Sequence, residues 1–208
     1  MYLPEAFREE DLTKLHDLIQ DNSFASLVTV KGDQTSISHL PFLLERNRGA
    51  NGTLVAHMAK ASGHWKEFEG AGDSFVIFTG PHAYISPAWY EKKESVPTWN
   101  YAVVHAYGRP ALIQDEVHLR EIVLRLVDQY EAPLGRPWNM AVAAKVIEEQ
   151  LAGIIGFEIP INRIEGKFKF NQNRPLGDQE GVIRALEGSP DPIARQVAKI
   201  MHANLKKD

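Results

Sequence analysis

The 208-residue chain is 44% hydrophobic and 24% charged, with a formal net charge of −4. This composition fits a globular protein long enough to bury a core in one domain, and its sign disfavours holding nucleic acid by bulk electrostatics, which needs clustered Lys and Arg. There is no cysteine, which excludes disulfides, cysteine-held clusters and thiol nucleophiles. The first residues carry no basic stretch leading into an apolar run, and no apolar run approaches the roughly 18 residues of a spanning helix. The sequence therefore reads as cytoplasmic, with no membrane contact.

Asp11 to Asp21 places Leu12, Leu15, Leu18 and Ile19 at helical spacing. Phe24 to Val30 and Thr35 to Leu44, separated by a polar turn, read as a hairpin. A strand follows at Thr53 to Met58, then a short helical segment at Gly63 to Glu69 and a strand at Ser74 to Thr79. A loop around Pro81 and Pro87 leads to a strand at Thr98 to Tyr107. Leu119, Ile122, Val123, Leu126, Val127 and Tyr130 form a helical stripe capped by Asp115, and Asn139 to Leu151 forms a second helix. Strand pattern returns at Ile154 to Ile161 and Ile164 to Phe170, and helices at Asp178 to Glu187 and Pro192 to Leu205 close the chain. Short polar turns between strands point to an antiparallel meander of about six or seven strands that closes on itself, with helices packed outside.

Five stretches carry candidate chemistry, one of them the aromatic-rich loop Phe78 to Tyr90, which either lines a site or covers the open end of a barrel. In Thr98 to Tyr107 one face bears Trp99, Tyr101, Val103, His105 and Tyr107, and the other Thr98, Asn100, Ala102, Val104 and Ala106. The ringed face suits a planar aromatic ligand or a partner subunit, or else half of a barrel core. In His57-Met-Ala-Lys60, followed by Ser62, His64 and Trp65, a strand ends and a helix begins. The free N–H groups of that helix, with Ser62, Lys60 and His64, suit a phosphate monoester, although Ser62 serves equally as a plain N-cap. His39-Leu40-Pro41-Phe42 puts a proline inside a strand, which marks an edge or bulge with free backbone groups, or a barrel corner with a core histidine. Lys167 to Arg174 alternates charge and rings; it either reaches a phosphate or a neighbouring subunit, or is an edge strand guarded by lysines. The histidines show no H-x-H or H-E-x-x-H spacing, so no metal set is expected. The last two helices, offering Arg195, Lys199, Lys206 and Lys207, read as a plain helical hairpin more readily than as a groove-reading helix-turn-helix.

Taken together, His57-Met-Ala-Lys60 with His64-Trp65, Thr79-Gly-Pro-His-Ala-Tyr-Ile-Ser-Pro87, Val96-Pro-Thr-Trp-Asn-Tyr101, and Glu165-Gly-Lys-Phe-Lys169 with Gln172-Asn-Arg174 resemble the PaiB family of FMN-binding negative transcriptional regulators. The resemblance spans nearly the whole chain. It implies a mainly β fold with peripheral helices (α+β), an antiparallel split β-barrel similar to pyridoxamine-phosphate oxidases and flavin reductases. Residues 1–208 would form one such domain, with 175–208 as its helical hairpin. It also implies a homodimer with FMN at the subunit interface. Ser62 and His64 would match the Ser-x-basic pair that holds the FMN phosphate; histidine in place of the usual lysine makes that contact weaker or pH-dependent. His39, Leu40, Pro41 and Phe42 would lie along the isoalloxazine, Trp99, Asn100 and Tyr101 would close the site, and Arg174 would reach the phosphate or the interface. His57, Lys60 and Trp65 would complete the turn. No catalytic side chain is expected. The alternative to a regulator is a flavin-dependent oxidoreductase or flavin reductase acting on a small molecule. Direct DNA contact is weakly supported, so regulation would be indirect.

Overall fold

A computed structural model describes residues 1–135 and 140–205. In chain order the strands and helices are β1 (Arg8–Glu9), α1 (Leu12–Asp21), β2 (Phe24–Lys31), β3 (Gln34–Pro41), β4 (Leu43–Glu45), β5 (Thr53–Ala59), β6 (Ser74–Ile85), β7 (Thr98–Gly108), β8 (Ala111–Ile113), α2 (Glu116–Glu131), α3 (Met140–Leu151), β9 (Ile154–Pro160), β10 (Arg163–Lys169), α4 (Leu176–Glu187) and α5 (Pro192–Leu205). Two compact units interleave along the chain. The first combines Met1–Leu18, Thr79–Val104 and Glu165–Asp208; the second combines Ile19–Phe78 and His105–Ile164. Asn139, the expected start of a helix, and Lys206 and Lys207 lie outside the described residues.

In the second unit β2 pairs antiparallel with β3 and with β6, and a four-stranded sheet runs β4-β5-β9-β8. On β2, Ala25, Leu27 and Thr29 face inward and are buried, while Phe24 and Val30 face out. The strand expected over Thr35 to Leu44 breaks at Phe42. Pro41 has no N–H to continue the ladder, and the Phe42 N–H turns to donate to the Ser23 carbonyl at 2.9 Å. The chain thereby leaves the β2 ladder and enters the one with β5. Phe42 anchors the crossing: its ring meets Phe78 at 5.9 Å and Phe157 at 6.1 Å, both edge-on. The expected stripe of α2 is buried at Leu119, Ile122 and Leu126, and Ile122 and Leu126 cluster with Leu43, Val55 and Ile113. Asp115 caps the helix by accepting the His118 N–H at 2.8 Å.

In the first unit β10 pairs with β1 through Arg8↔Lys167 and Glu9↔Gly166. A Cβ on Gly166 would stand 2.1 Å from Leu15 Cδ2 and 3.1 Å from the Glu9 carbonyl oxygen, so the glycine lets α1 and β1 lie close to β10 without moving the Leu15 side chain. Because β1 flanks β10, the stretch after Ile164 is not the lysine-guarded edge strand that its charge pattern suggested. The strand β6 continues through Pro81 to Ile85, where the sequence suggested a loop; its burial alternation slips by one residue at Pro81 and His82, the mark of a bulge that accommodates proline. Helices α4 and α5 pack on each other through Val182, Ile183 and Leu186 against Ala194, Val197, Ala198 and Met201.

The alternation expected along β7 is present, and its core side is the small one. Asn100, Ala102, Val104 and Ala106 are buried, while the ringed positions are half-buried or exposed. The small side chains leave room for α5, whose Met201 Sδ accepts from Asn100 Nδ2 at 3.4 Å. The ringed face is therefore not half of a core. Among the described residues no helix is long and apolar enough to cross a membrane.

Candidate functional site

The residues singled out by sequence fall in both units. In the second unit they gather around His64. This side chain is 5% exposed, its Nδ1 lies 2.7 Å from Ser38 Oγ, and its ring packs against Phe68 at 5.6 Å. Nε2 is buried and has no hydrogen-bond partner among the described residues. Burial holds the imidazole below its ordinary pKa, and nearby Glu67 offsets that only in part. Either partner of the Ser38–Nδ1 bond can be the donor, so Nε2 is a buried polar atom that donates in one tautomer and accepts in the other. An oxygen of a bound ligand fits that position, and flavins carry both phosphate and carbonyl oxygens.

The turn around His64 is tighter than its sequence suggested. Lys60–Ser62 and His64–Phe68 are two short 3-10 turns hinged at Gly63, whose φ is 75°. No α-helix starts here, so the helix dipole invoked for an anion is not available; the N–H of Lys66 already donates to Gly63 O at 3.0 Å. Ser62 is exposed and donates to Met58 Sδ at 3.4 Å. The Lys60 ammonium donates to the Ala152 carbonyl at 2.8 Å, and Trp65 Nε1 donates to Lys60 O at 2.9 Å, which clasps the turn.

The other predicted residues of this unit separate by strand face. His57 lies on the face of β5 that carries Val55, opposite Ala56 and Met58. Its Nδ1 is buried without a partner, and burial lowers its pKa. On β3, His39 is exposed, with Nδ1 3.0 Å from Ser26 Oγ, so it is not a core histidine. Leu40 takes the opposite face from His39, both Leu40 and Pro41 are half-buried, and Phe42 is a core residue at 1% exposure.

In the first unit Trp99 is 53% exposed. Its ring lies 6.4 Å from His82 and meets Tyr84 edge-on at 6.0 Å. These three, with Trp89, Ser189 and Asp191, line a cleft of about 520 Å³. Asn100 points away from it into the core. Tyr101 is half-buried, with Lys167 Nζ 5.5 Å from its ring centre. Arg174 stacks on Tyr90 at 4.7 Å and donates to Ser95 Oγ at 3.2 Å.

Sequence reasoning missed Ser38 and Asp191, and took His82, Tyr84 and Trp89 only as part of the loop Phe78 to Tyr90. The aromatic richness of that stretch was the signal for those three. Ser38 becomes relevant only because the hairpin register faces it inward, opposite Leu27, where it can meet His64.

Residues 1–163 match the family model described as "Putative FMN-binding domain". The chain is 34% identical over 209 residues to the protease synthase and sporulation protein PAI 2 of Bacillus subtilis, a match covering 100% of this chain and 99% of that protein. Among solved structures it resembles the FAD and heme binding protein from Mycobacterium smegmatis, with a TM-score of 0.58, 15% identity, and 78% of this chain and 73% of that one covered. It also resembles the flavocytochrome Anf3 from Azotobacter vinelandii, with a TM-score of 0.56, 18% identity, and 78% and 69% covered. These likenesses give the fold, an antiparallel split β-barrel with helices. FMN is the cofactor that the family match assigns. A full-length relative and a family model spanning most of the sequence carry the same conclusion as the four motifs: this chain belongs to the PaiB family of FMN-binding proteins.

Proposed function

We propose that the protein is a cytoplasmic homodimer, each chain one domain over residues 1–208, that binds FMN and acts as a PaiB-like negative regulator. The observation that carries the ligand part is Trp99: a large ring left half exposed beside His82 and Tyr84 on the face of β7 that the core does not use. Exposed stacking surface of this kind receives a planar aromatic such as isoalloxazine. In the first unit Trp99 and Tyr101 would contact the ring system. The second unit taken by itself offers its own flavin contacts: Nε2 of His64 would hydrogen-bond a polar flavin atom, with Ser62 and Lys60 at the same turn and His39, Leu40 and Pro41 along β3. Phe42 and His57 would support the second-unit residues from that unit's core and Trp65 would fix their turn, while Asn100 would support Trp99 and Tyr101 from the core of the first.

Bound FMN supplies redox chemistry through its isoalloxazine. The protein's own residues would bind and orient it, and His64, kept neutral by burial, would hydrogen-bond without adding charge. Regulation without direct DNA contact fits the net charge of −4. It also fits α5, which follows Asp191, begins Pro192-Ile193-Ala194 and has Ala194, Val197, Ala198 and Met201 buried.

The test is titration of the full chain with FMN, followed by quenching of flavin fluorescence, alongside light-scattering mass on a sizing column. Trp99→Ala should weaken FMN at least tenfold while leaving the mass of a dimer unchanged. Equal affinity in the variant would remove Trp99 from the site, and a monomer mass would refute the dimer. Rapid anaerobic reduction of the bound flavin by NADH or NADPH would instead favour a flavin reductase.

A further inference from the structure

Three cations of the first unit converge, and the carboxylate next to them on the same strand face, Glu165, pairs with the N-terminal ammonium of Met1 at 3.0 Å. Lys167 and Lys169 stand two apart on β10 and so share a face. Arg174 follows the turn at the strand end. That turn is firmly built. Asn171 is the one non-glycine residue with positive φ among those described, at 61°; its Nδ2 donates to Tyr90 Oη at 3.0 Å, and its carbonyl accepts the Arg174 N–H at 2.8 Å. Asparagine tolerates this left-handed conformation better than other non-glycine residues, and here it returns the chain so that Arg174 comes close enough to act on Lys169.

Each cation uses one donor on a neutral oxygen. Lys167 Nζ donates to Tyr2 O at 3.1 Å, Lys169 Nζ donates to Thr98 Oγ1, and Arg174 donates to Ser95 Oγ. Rings surround them: Tyr2 and Tyr101 beside Lys167, Phe7 beside Lys169, and Tyr90 beneath Arg174. Among the described residues no carboxylate pairs with any of the three, and Lys167 is only 9% exposed. Burial first, then Lys167 and Arg174, lower the pKa of Lys169, with no acidic group acting in the opposite sense. Like charges gathered out of water are unfavourable unless something neutralises them. Ammonium and guanidinium groups beside hydroxyls and rings are what binds a phosphate group.

We propose that Lys167, Lys169 and Arg174 form a binding site for a phosphate-type oxyanion. The anion is the phosphate of the flavin itself or that of a separate phosphorylated ligand. The site does not depend on the His64 turn, and bare pyrophosphate should occupy it whether or not FMN is bound elsewhere.

The test uses the full chain at low ionic strength and inorganic pyrophosphate as probe, read by calorimetry. Lys169→Met and Arg174→Met should each weaken pyrophosphate at least tenfold, while Lys145→Met, an exposed position on α3, should not. Lys169→Arg should retain binding, which separates lost charge from lost folding. In the wild-type chain, bound pyrophosphate should raise the pKa of Lys169 as followed by NMR of its side chain. FMN and riboflavin identify the source of the anion. If it is the flavin, Lys169→Met weakens FMN but not riboflavin, and pyrophosphate displaces FMN. If it is a separate ligand, pyrophosphate binds the FMN-loaded chain undiminished. Absence of pyrophosphate binding to the wild type, together with FMN affinity unchanged in both Met variants, would overturn the proposal. An unmoved Lys169 pKa in saturating pyrophosphate would overturn it as well.

Discussion

The His64 cluster of the second unit and the Lys167–Lys169–Arg174 cluster of the first treat charge in opposite ways. His64 is buried among a serine and aromatic rings, and burial keeps it neutral. It offers one directional hydrogen-bonding atom, Nε2. The three cations remain beside hydroxyls and rings, and their mutual repulsion is uncompensated. They offer net positive charge. The turn that by sequence suited a phosphate thus centres on a neutral imidazole, and the stretch read either as a phosphate contact or as a guarded strand edge gathers the cations. A short motif reports which donors are present; burial and neighbours decide whether they act as charges or as hydrogen-bonding groups.

The contrast is sharpest in stability. Phe42→Ala removes the ring between Phe78 and Phe157, and a buried Phe→Ala change costs about 3–5 kcal/mol. Urea unfolding should show that loss, and the His64 cluster should loosen with it, because Phe68 joins His64 to Phe157. Lys169→Met should behave in the reverse sense, with a midpoint equal to or above wild type, since it relieves repulsion. A loss of more than about 1 kcal/mol there would show that Lys169 is held by an attraction the contacts do not reveal.

The pH dependence separates the two clusters by window. His57 and His64 have folded pKa values below the ordinary 6.5. As pH falls through 6.5, the unfolded chain takes up protons that the fold refuses. The stability these groups give is complete above 6.5 and drains away as pH drops towards the folded values. Melting temperature should fall between pH 7.5 and 5.5, and the double variant His57→Gln with His64→Gln should flatten that slope. Lys169 acts in a separate alkaline window. Its folded pKa lies below 10.5, so between the two values the unfolded chain holds the extra proton and stability rises with pH. The smallest effect belongs to Ser62→Ala. It removes one exposed hydroxyl from a sulfur contact, so stability should move by less than about 0.5 kcal/mol. Any larger change would assign that turn a structural role.

Much of the architecture was legible in the chain. The apolar periodicity of α1 and α2, the Asp115 cap and the alternation of β7 all reappear where residue spacing put them. What the pattern of β7 could not say is which face meets the core. Ringed and small sides are equally periodic, and the choice was made by α5 pressing Met201 towards Asn100. Pro81 looked like a loop because proline breaks ladders, yet a bulge absorbs it. The break at Phe42 was half visible in Pro41, but the change of sheet depends on pairing with β5. Lys167 and Lys169 looked like edge guards because β1, a two-residue strand at the far end of the sequence, leaves no periodic trace. Local spacing carried the elements. Long-range contacts decided which polar groups were buried, and the candidate site depends on those.

The central claim is FMN binding, and an absorbance and fluorescence titration of the freshly purified chain with FMN tests it most directly. The account predicts a flavin spectrum or saturable quenching at one FMN per chain, weakened by Trp99→Ala. A colourless protein whose addition leaves FMN fluorescence unquenched at every concentration would contradict it.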